Sequence, residues 1–322
     1  MNLILFDDNN RDQLLPLTYT KPVTELRIGI LKISDKWKLR LNADISYLTQ
    51  DYLQIKYPPL FEEDNYIIAG GLIPDDGIVK KISSLKRNEV LLKDGRFLAT
   101  RLSQNDAQDF DLLSTEKLIS YEYPDDIRII DHVWELFYHN GEQIKADFEI
   151  LTKNRKTQKL SDTNSILGNN IFVEEGVKAE FVTINSTTGS VYLGKNSEIM
   201  EGAVIRGPFA LCEESTVKLS AKIYGPTTVG PHSKVGGEIN NSIFQAYSNK
   251  GHDGFLGNSV IGEWCNIGAD TNNSNLKNNY ADVKIWSYRN DRFTNTGLQF
   301  CGLIMGDHSK CGINTMFNTG TV

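Results

Sequence analysis

Residues 250–257 carry the side chains with the greatest capacity for chemistry in this sequence. They include His252, whose imidazole exchanges a proton near neutral pH and can therefore act as a general base. A solvated loop histidine is the alternative for this residue. His308 and Cys311 are three residues apart, but no second pair stands nearby at zinc spacing. We expect those two residues to be structural, and any metal ligands stay unknown.

Aliphatic residues at every sixth position indicate the structure that holds His252. Eight consecutive positions fit this spacing: Leu193, Ile199, Ile205, Leu211, Val217, Ile223, Val229 and Val235. The spacing returns in new phases with Ile261 and Ile267 and with Met305 and Cys311, and glycine follows many of these positions. A helical period of 3.6 or a strand period of two does not produce this pattern.

A period of six is typical of a solenoid. A short strand points one aliphatic side chain inward, a turn follows, and the next strand begins in the same phase. Stacked coils then superimpose the inward side chains into a column. We predict a β-solenoid from about residue 165 onward, with all eight aliphatic residues inward. An antiparallel sandwich, the alternative, would space its turns variably.

The first half of the chain has the pattern of an α/β domain. Residues 3–6 and 66–69 are apolar runs that predict short buried strands. Residues 89–101 alternate around Asp94-Gly95, which predicts a hairpin. Helical spacing is found over residues 23–37, and residues 134–150 also predict a helix.

Length and glycine content predict two domains. The chain has 322 residues, and six of its 26 glycines fall before residue 161. At roughly 150 residues per domain, this length allows two cores. Residues 152–163 are polar, carry four basic side chains and have little to bury, as expected of a linker. We therefore predict domains over residues 1–160 and 161–322.

Charge and hydropathy exclude several classes of partner. The net charge is −7, from 34 basic and 41 acidic residues, so no overall positive field favours a nucleic acid or an anionic membrane. No apolar run approaches the roughly 18 residues of a membrane helix, and no leader is evident. The four cysteines form no C-x-x-C pair, which favours reduced thiols. We expect a cytoplasmic protein that is mature from Met1.

A hexapeptide solenoid behind an α/β domain resembles the bifunctional UDP-N-acetylglucosamine pyrophosphorylase / glucosamine-1-phosphate N-acetyltransferase family. Lys250-Gly251-His252-Asp253-Gly254-Phe255-Leu256-Gly257 and the later Asn266-Ile267-Gly268-Ala269 carry the resemblance. The chain resembles a divergent branch with a shortened N-terminal domain. The resemblance implies a nucleotidyltransferase-like, Rossmann-like domain, then an all-β left-handed parallel β-helix of hexapeptide repeats that assembles as a homotrimer.

The resemblance also implies roles for individual residues of the solenoid. The family's general base falls on His252, and its asparagines that contact the sugar phosphate fall on Asn266 and Asn275. Ala269 is implied to contact acetyl-CoA. Asn275 could equally be a turn residue, and Asn266 could belong to an asparagine ladder.

Phosphate recognition differs from the family pattern. Phe255 stands where the family commonly has a tyrosine that contacts the phosphate, and a phenyl ring cannot donate a hydrogen bond. We therefore expect a cation, Lys250 or Lys234, to contact the phosphate.

The N-terminal domain matches the family less closely. The family's glycine-rich phosphate loop is replaced by a segment without glycine, in which Arg11 and Lys21 are the candidate nucleotide-binding cations. Asp7, Asp8 and Asp12 would repel a triphosphate unless Mg²⁺ intervenes. Surface-loop residues are the alternative for Arg11 and Lys21.

These expectations describe an enzyme of sugar-nucleotide synthesis. It would acetylate glucosamine-1-phosphate or a similar amino-sugar phosphate with acetyl-CoA, and it would use UTP if the N-terminal domain is active. One alternative is an acyltransferase whose N-terminal domain is a degenerate nucleotide-binding module. A third hypothesis is a non-enzymatic solenoid scaffold or sugar-nucleotide sensor.

Overall fold

The computed structural model describes residues 1–322, which form two compact units. Unit 1 comprises Met1–Leu14, Thr20–Leu26 and Lys32–Asp131. Unit 2 comprises Leu15–Tyr19, Arg27–Leu31 and His132–Val322. The units therefore alternate along the first 31 residues, and the last change from unit 1 to unit 2 follows Asp131, before the polar segment of residues 152–163.

Unit 1 is built on a six-stranded mixed sheet. Its strands, in spatial order, are Asp44–Leu48, Asn2–Phe6, Asp64–Ala69, Arg96–Ser103, Glu89–Lys93 and Ile119–Glu122. Asn2–Phe6 runs parallel to both of its neighbours, so three strands end at the same edge. A second, two-stranded sheet pairs Leu72–Ile73 with Arg128–Ile129. The two strands predicted at residues 3–6 and 66–69 and the hairpin over 89–101 are confirmed.

Short helices surround this sheet. The α-helices are α1 (Ile33–Leu41), α2 (Asp51–Gln54), α3 (Asp76–Ser83) and α4 (Gln104–Gln108), and the 3-10 helices are Asn9–Leu14, Val23–Glu25 and Leu113–Lys117. On α1, the fully buried indole of Trp37 donates to the carbonyl of Leu72 at 3.0 Å. The side chain of Asp75 caps α3 by accepting from the amide of Ile78 at 2.8 Å.

The helix predicted over residues 23–37 is mostly wrong. Helix α1 begins only at Ile33, and Arg27–Ile28 and Leu31–Lys32 are short strands. Gly29 between them has a φ of 77°, and its amide donates to the side chain of Asn140 at 2.8 Å. Asp147 accepts from the amides of the next two residues at 2.8 and 3.0 Å. These side chains of unit 2 satisfy the backbone donors that a helix would have used.

Unit 2 contains two helices and a solenoid. The helices are α5 (Val133–Tyr138) and α6 (Asn140–Thr152), which divide the single helix predicted over residues 134–150.

The solenoid has three parallel sheets, defined here as face 1, face 2 and face 3. Face 1 contains Ser165–Leu167, Thr183–Asn185, Val204–Arg206, Lys222–Tyr224, Glu238–Asn240 and Phe255–Gly257. Face 2 contains Ile171–Val173, Val191–Leu193, Phe209–Leu211, Thr227–Val229, Ile243–Ala246, Val260–Glu263 and Ile304–Met305. Face 3 contains Lys178–Ala179, Glu198–Ile199, Thr216–Val217, Lys234–Val235, Asn249–Lys250, Asn266–Ile267 and Lys310–Cys311.

The predicted solenoid and its inward column are confirmed. All eight aliphatic residues of the period are buried within one apolar cluster. The register aligns Leu193 with Leu211 and Leu211 with Val229, so a coil takes 18 residues, or three hexapeptides. The chain therefore forms a parallel β-helix whose core is continuous from coil to coil.

One coil is shorter, and a hairpin interrupts another. Val229 aligns with Phe244, 15 residues later, which shifts the phase of the period after Val235. In the last coils, the strand Asn272–Asn273 pairs with the strand Met316–Phe317. Between them lies an antiparallel hairpin of Lys284–Ser287 and Arg292–Asn295. No helix combines the length and the apolar character needed to span a bilayer.

Candidate functional site

His252 lies in the turn between face 3 and face 1. The strand Asn249–Lys250 precedes it on face 3, and Phe255–Gly257 follows it on face 1. The imidazole is exposed. The turn of the next coil stacks on this one, because the amide of Asp270 donates to the carbonyl of Asp253 at 3.0 Å. The solenoid thus presents the candidate base to solvent on a hydrogen-bonded backbone.

Lys250 lies in the inward column rather than at the surface. It follows Val235 in the register of face 3, and it is 1% exposed. Its ammonium donates to the carbonyls of Gly236 at 3.1 Å, His252 at 3.0 Å and Gly254 at 3.0 Å. This arrangement contradicts the expected phosphate contact, because all three ammonium hydrogens have partners inside the protein.

Burial lowers the pKa of Lys250 to about 8, although the carboxylates of Asp253 and Asp270 favour the charged form. The cause is desolvation, which disfavours an ammonium in an apolar column. The site therefore contains a cation that can lose its proton at mildly alkaline pH.

Lys234 and Asn266 lie on the outer side of face 3. The register aligns Lys234 with Asn249 and Asn249 with Asn266. Both candidates are exposed, and the side-chain amide of Asn249 donates to Oδ1 of Asn266 at 3.0 Å. The asparagine ladder considered for Asn266 is therefore present. Ala269 is half-buried in the turn one coil above His252. We define the His252 patch as the four residues His252, Lys234, Asn266 and Ala269.

Phe255 and Asn275 meet over face 1. A Cβ placed on Gly257 would lie 2.6 Å from Cζ of Phe255 and 2.7 Å from Nδ2 of Asn275, so both side chains fold over this glycine. The amide of Asn275 also donates to Oδ1 of Asn258 at 2.8 Å. This bond joins neighbouring coils and is not a turn contact, and the side chains of Phe255 and Asn275 are half-buried. The structure brings this pair together next to the turn that holds His252.

Sequence reasoning missed two polar residues in the inward column. Lys250 is one, and Asn273 is the other, with its amide bonded to Gly257 and close to Ser259. A signal was available, because Lys250 is six residues after the buried Phe244 and six before the buried Leu256. The shorter coil concealed this spacing by moving the phase after Val235.

The N-terminal candidates lie where the parallel strands of unit 1 end. Ligands of open α/β sheets bind at such an edge. Arg11 and Lys21 are 5% and 2% exposed, so the surface-loop interpretation of them is wrong. The guanidinium of Arg11 donates to Asp12 at 2.9 Å and to the hydroxyl of Tyr52 at 2.6 Å. These contacts hold Arg11 within the domain.

The carboxylates at this edge do not form a ready magnesium site. Asp7 accepts from the hydroxyl of Thr49 at 2.6 Å and from the amide of Val23 at 3.0 Å. Asp8 accepts from the amide of Asn10 at 2.9 Å. No group of three or more His, Cys, Asp or Glu side chains is arranged to hold a metal ion. The residues present do not fit a preformed magnesium site, and Mg²⁺ here stays a prediction from the resemblance.

The stability of unit 1 is predicted to depend on pH through the carboxyl group of Asp7. Burial raises its pKa to about 6, despite the hydrogen bonds from Thr49 and Val23 and the charge of Arg11. Because the folded state binds this proton more tightly, Asp7 costs stability above pH 6 and the cost disappears as the pH falls toward 4. The cost at pH 7 is on the order of 3 kcal/mol. We expect the free energy of unfolding of Asp7→Asn, measured in urea relative to that of wild type, to fall by about 3 kcal/mol between pH 7 and pH 4. A constant difference would contradict this prediction.

Comparisons with known proteins find one family model and several partial relatives. The sugar nucleotidyl transferase family model matches residues 3–156. The putative uncharacterized acetyltransferase YaiX of Escherichia coli K12 is 27% identical over 146 residues, or 45% of this chain, and the chain spans 63% of the length of that relative. The bifunctional protein GlmU of Methanocaldococcus jannaschii is 30% identical over 114 residues, or 35% of this chain and 25% of that protein. Residues 3–156 thus match the sugar nucleotidyl transferase family model, and over part of its length the chain is similar to an acetyltransferase and to a bifunctional GlmU protein.

Proposed function

We propose that this chain is a transferase of amino-sugar nucleotide synthesis. Its solenoid would transfer the acetyl group of acetyl-CoA to the amine of glucosamine-1-phosphate or a similar amino-sugar phosphate. The observation that carries the proposal is the position of His252 on the solenoid. Its exposed imidazole lies in the turn that follows face 3, where Asn266 is exposed on the outer side, and the turn that contains Ala269 stacks on it. The same chain matches the sugar nucleotidyl transferase family model over residues 3–156.

The proposed reaction needs a base at the position of His252. The amine attacks only when neutral, and the imidazole can take its proton as nitrogen bonds to the thioester carbonyl carbon. The carbon–sulfur bond then breaks, and the thiolate of CoA leaves with the proton returned by the imidazolium. Backbone amides of a solenoid turn can stabilise the intermediate oxyanion.

The sugar phosphate would contact the cation that remains exposed in the patch. This cation is Lys234, because the ammonium of Lys250 is bonded to three carbonyls. We propose a homotrimer in which a neighbour's solenoid face encloses the patch. Sedimentation at three times the chain mass of 36.2 kDa supports this assembly, and a stable monomer contradicts it.

An acyltransferase without nucleotidyl transfer is the second candidate. The contacts of Arg11 with Asp12 and Tyr52, and the burial of Lys21, favour it, because neither cation is an open phosphate ligand. Uridylyl transfer from UTP would require both side chains to face the nucleotide.

A two-arm assay tests these candidates. One arm offers acetyl-CoA with glucosamine-1-phosphate and follows release of CoA, and the other offers UTP with N-acetylglucosamine-1-phosphate and follows release of pyrophosphate. Turnover in both arms supports the bifunctional enzyme, and turnover in the first arm alone supports the acyltransferase. Absence of turnover in the first arm, also with related amino-sugar phosphates, contradicts the proposal.

A further inference from the structure

A charged side chain occupies a position that the solenoid fills elsewhere with aliphatic groups. Lys250 follows Val217 and Val235 in the column of face 3, and Ile267 occupies the corresponding position of the next coil. Burying an ammonium costs free energy unless its hydrogens are bonded, and an apolar residue of similar volume is often at least as stable. Core packing therefore does not account for a lysine at this position.

The bonds of this ammonium are concentrated on the turn that carries His252. Two of its three acceptors, the carbonyls of His252 and Gly254, belong to that turn, and the third is Gly236 in the preceding coil. The carbonyl of Gly254 also accepts from the amide of Glu238 at 3.1 Å. Lys250 thus connects the candidate base to the core and to the coil below.

We propose that Lys250 is a positioning residue of the acetyl-transfer site, whose ammonium fixes the turn of residues 251–254 and so the location of His252. This inference rests on the proposed function for its effect on catalysis. It does not make Lys250 a phosphate ligand, because its ammonium is buried and bonded to carbonyls.

If the ammonium of Lys250 fixes the turn of residues 251–254, the order of that turn should depend on pH. An ammonium has three donors for its three carbonyls, and a neutral amine has two. Loss of the proton therefore leaves one carbonyl without its donor. The titratable groups that face this site are Asp253 and Asp270, which favour the charged form, and His252 itself. The turn should loosen above pH about 8 in the wild type.

The test compares Lys250→Met with wild type in the full chain. Exchange of the amide hydrogens of Glu238 and Asp270 reports on the turn, because they donate to the carbonyls of Gly254 and Asp253. We expect these two amide hydrogens to exchange about 10-fold faster in Lys250→Met than in wild type at pH 7. The ratio of the two exchange rates should decrease above pH 8. With glucosamine-1-phosphate, kcat should fall by about 10–100-fold while KM changes little, since a misplaced group affects the reacting geometry.

A control separates positioning from general stability. Ile199 occupies the same column three coils below, so Ile199→Ala should lower the unfolding temperature without changing kcat of the folded protein or exchange at the turn. The unfolding temperature of Lys250→Met is measured beside it, because the three carbonyls that lose their donor also cost stability. Lys250→Arg retains donors and should recover part of the lost kcat.

The outcomes distinguish the two proposals. Unchanged exchange in Lys250→Met overturns the positioning role, and so does unchanged kcat in an active enzyme. A rise in KM alone would indicate a phosphate contact and would also overturn it. If the wild type transfers no acetyl group, the proposed function fails, and the exchange measurement still decides whether Lys250 fixes the turn.

Discussion

His252→Ala is expected to lower acetyl transfer by about 10²–10⁴-fold, which is the usual contribution of a general base. The imidazole is exposed in a turn and holds no part of the core, so the fold should be unaffected. The measurement is kcat with acetyl-CoA and glucosamine-1-phosphate, together with the unfolding temperature. The loss should fall on the acetylation arm alone, because the candidate nucleotide residues belong to unit 1.

His308→Ala is the matched control for this experiment. His308 is also an exposed solenoid histidine, but it lies in a turn between faces 2 and 3. Its removal should leave acetyl transfer unchanged. A wild-type rate for His252→Ala would remove the main residue-level support for the enzyme and would favour the solenoid scaffold or sugar-nucleotide sensor.

The solenoid was predictable because its core repeats a local rule. Each coil buries one aliphatic side chain per short strand, and neighbouring coils impose the same phase, so the period appears directly in the sequence. Lys250 was not placed by this rule, because the shorter coil between Val229 and Phe244 moved the phase and hid its six-residue spacing to Phe244 and Leu256. The resemblance identified His252 as the candidate base, and the structure places it in a turn whose carbonyls are bonded to the ammonium of Lys250.

The N-terminal region was harder to predict because distant contacts determine it. Residues 23–37 have helical spacing, but Asn140 and Asp147, more than 100 residues away, bind the backbone of residues 29–31. The burial of Arg11 likewise depends on Tyr52, which approaches only in the folded sheet domain. Local propensity carries no information about such partners.

The glycines that follow inward residues allow a sharper prediction about stability. At Gly230 the reason for glycine is the approach of the next coil, because its amide donates to the carbonyl of Phe244 at 2.9 Å. A Cβ at this position would overlap the carbonyl oxygens of Phe244 and Gln245. These are backbone atoms of a paired strand, so no side-chain rotation can relieve the overlap.

Gly230→Ala should therefore destabilise unit 2 by about 3 kcal/mol, the upper end of the usual cost of an added methyl group, because the atoms it would overlap belong to a paired backbone. Gly312 provides the matched control: it also follows an inward residue, but a Cβ there would meet nothing within 4 Å. Gly312→Ala should change stability by no more than about 1 kcal/mol. Thermal unfolding of both variants, followed by circular dichroism, measures the difference. Equal unfolding temperatures would show that the coils can separate at Gly230 without loss, and that close stacking of the coils is not the reason for glycine at this position.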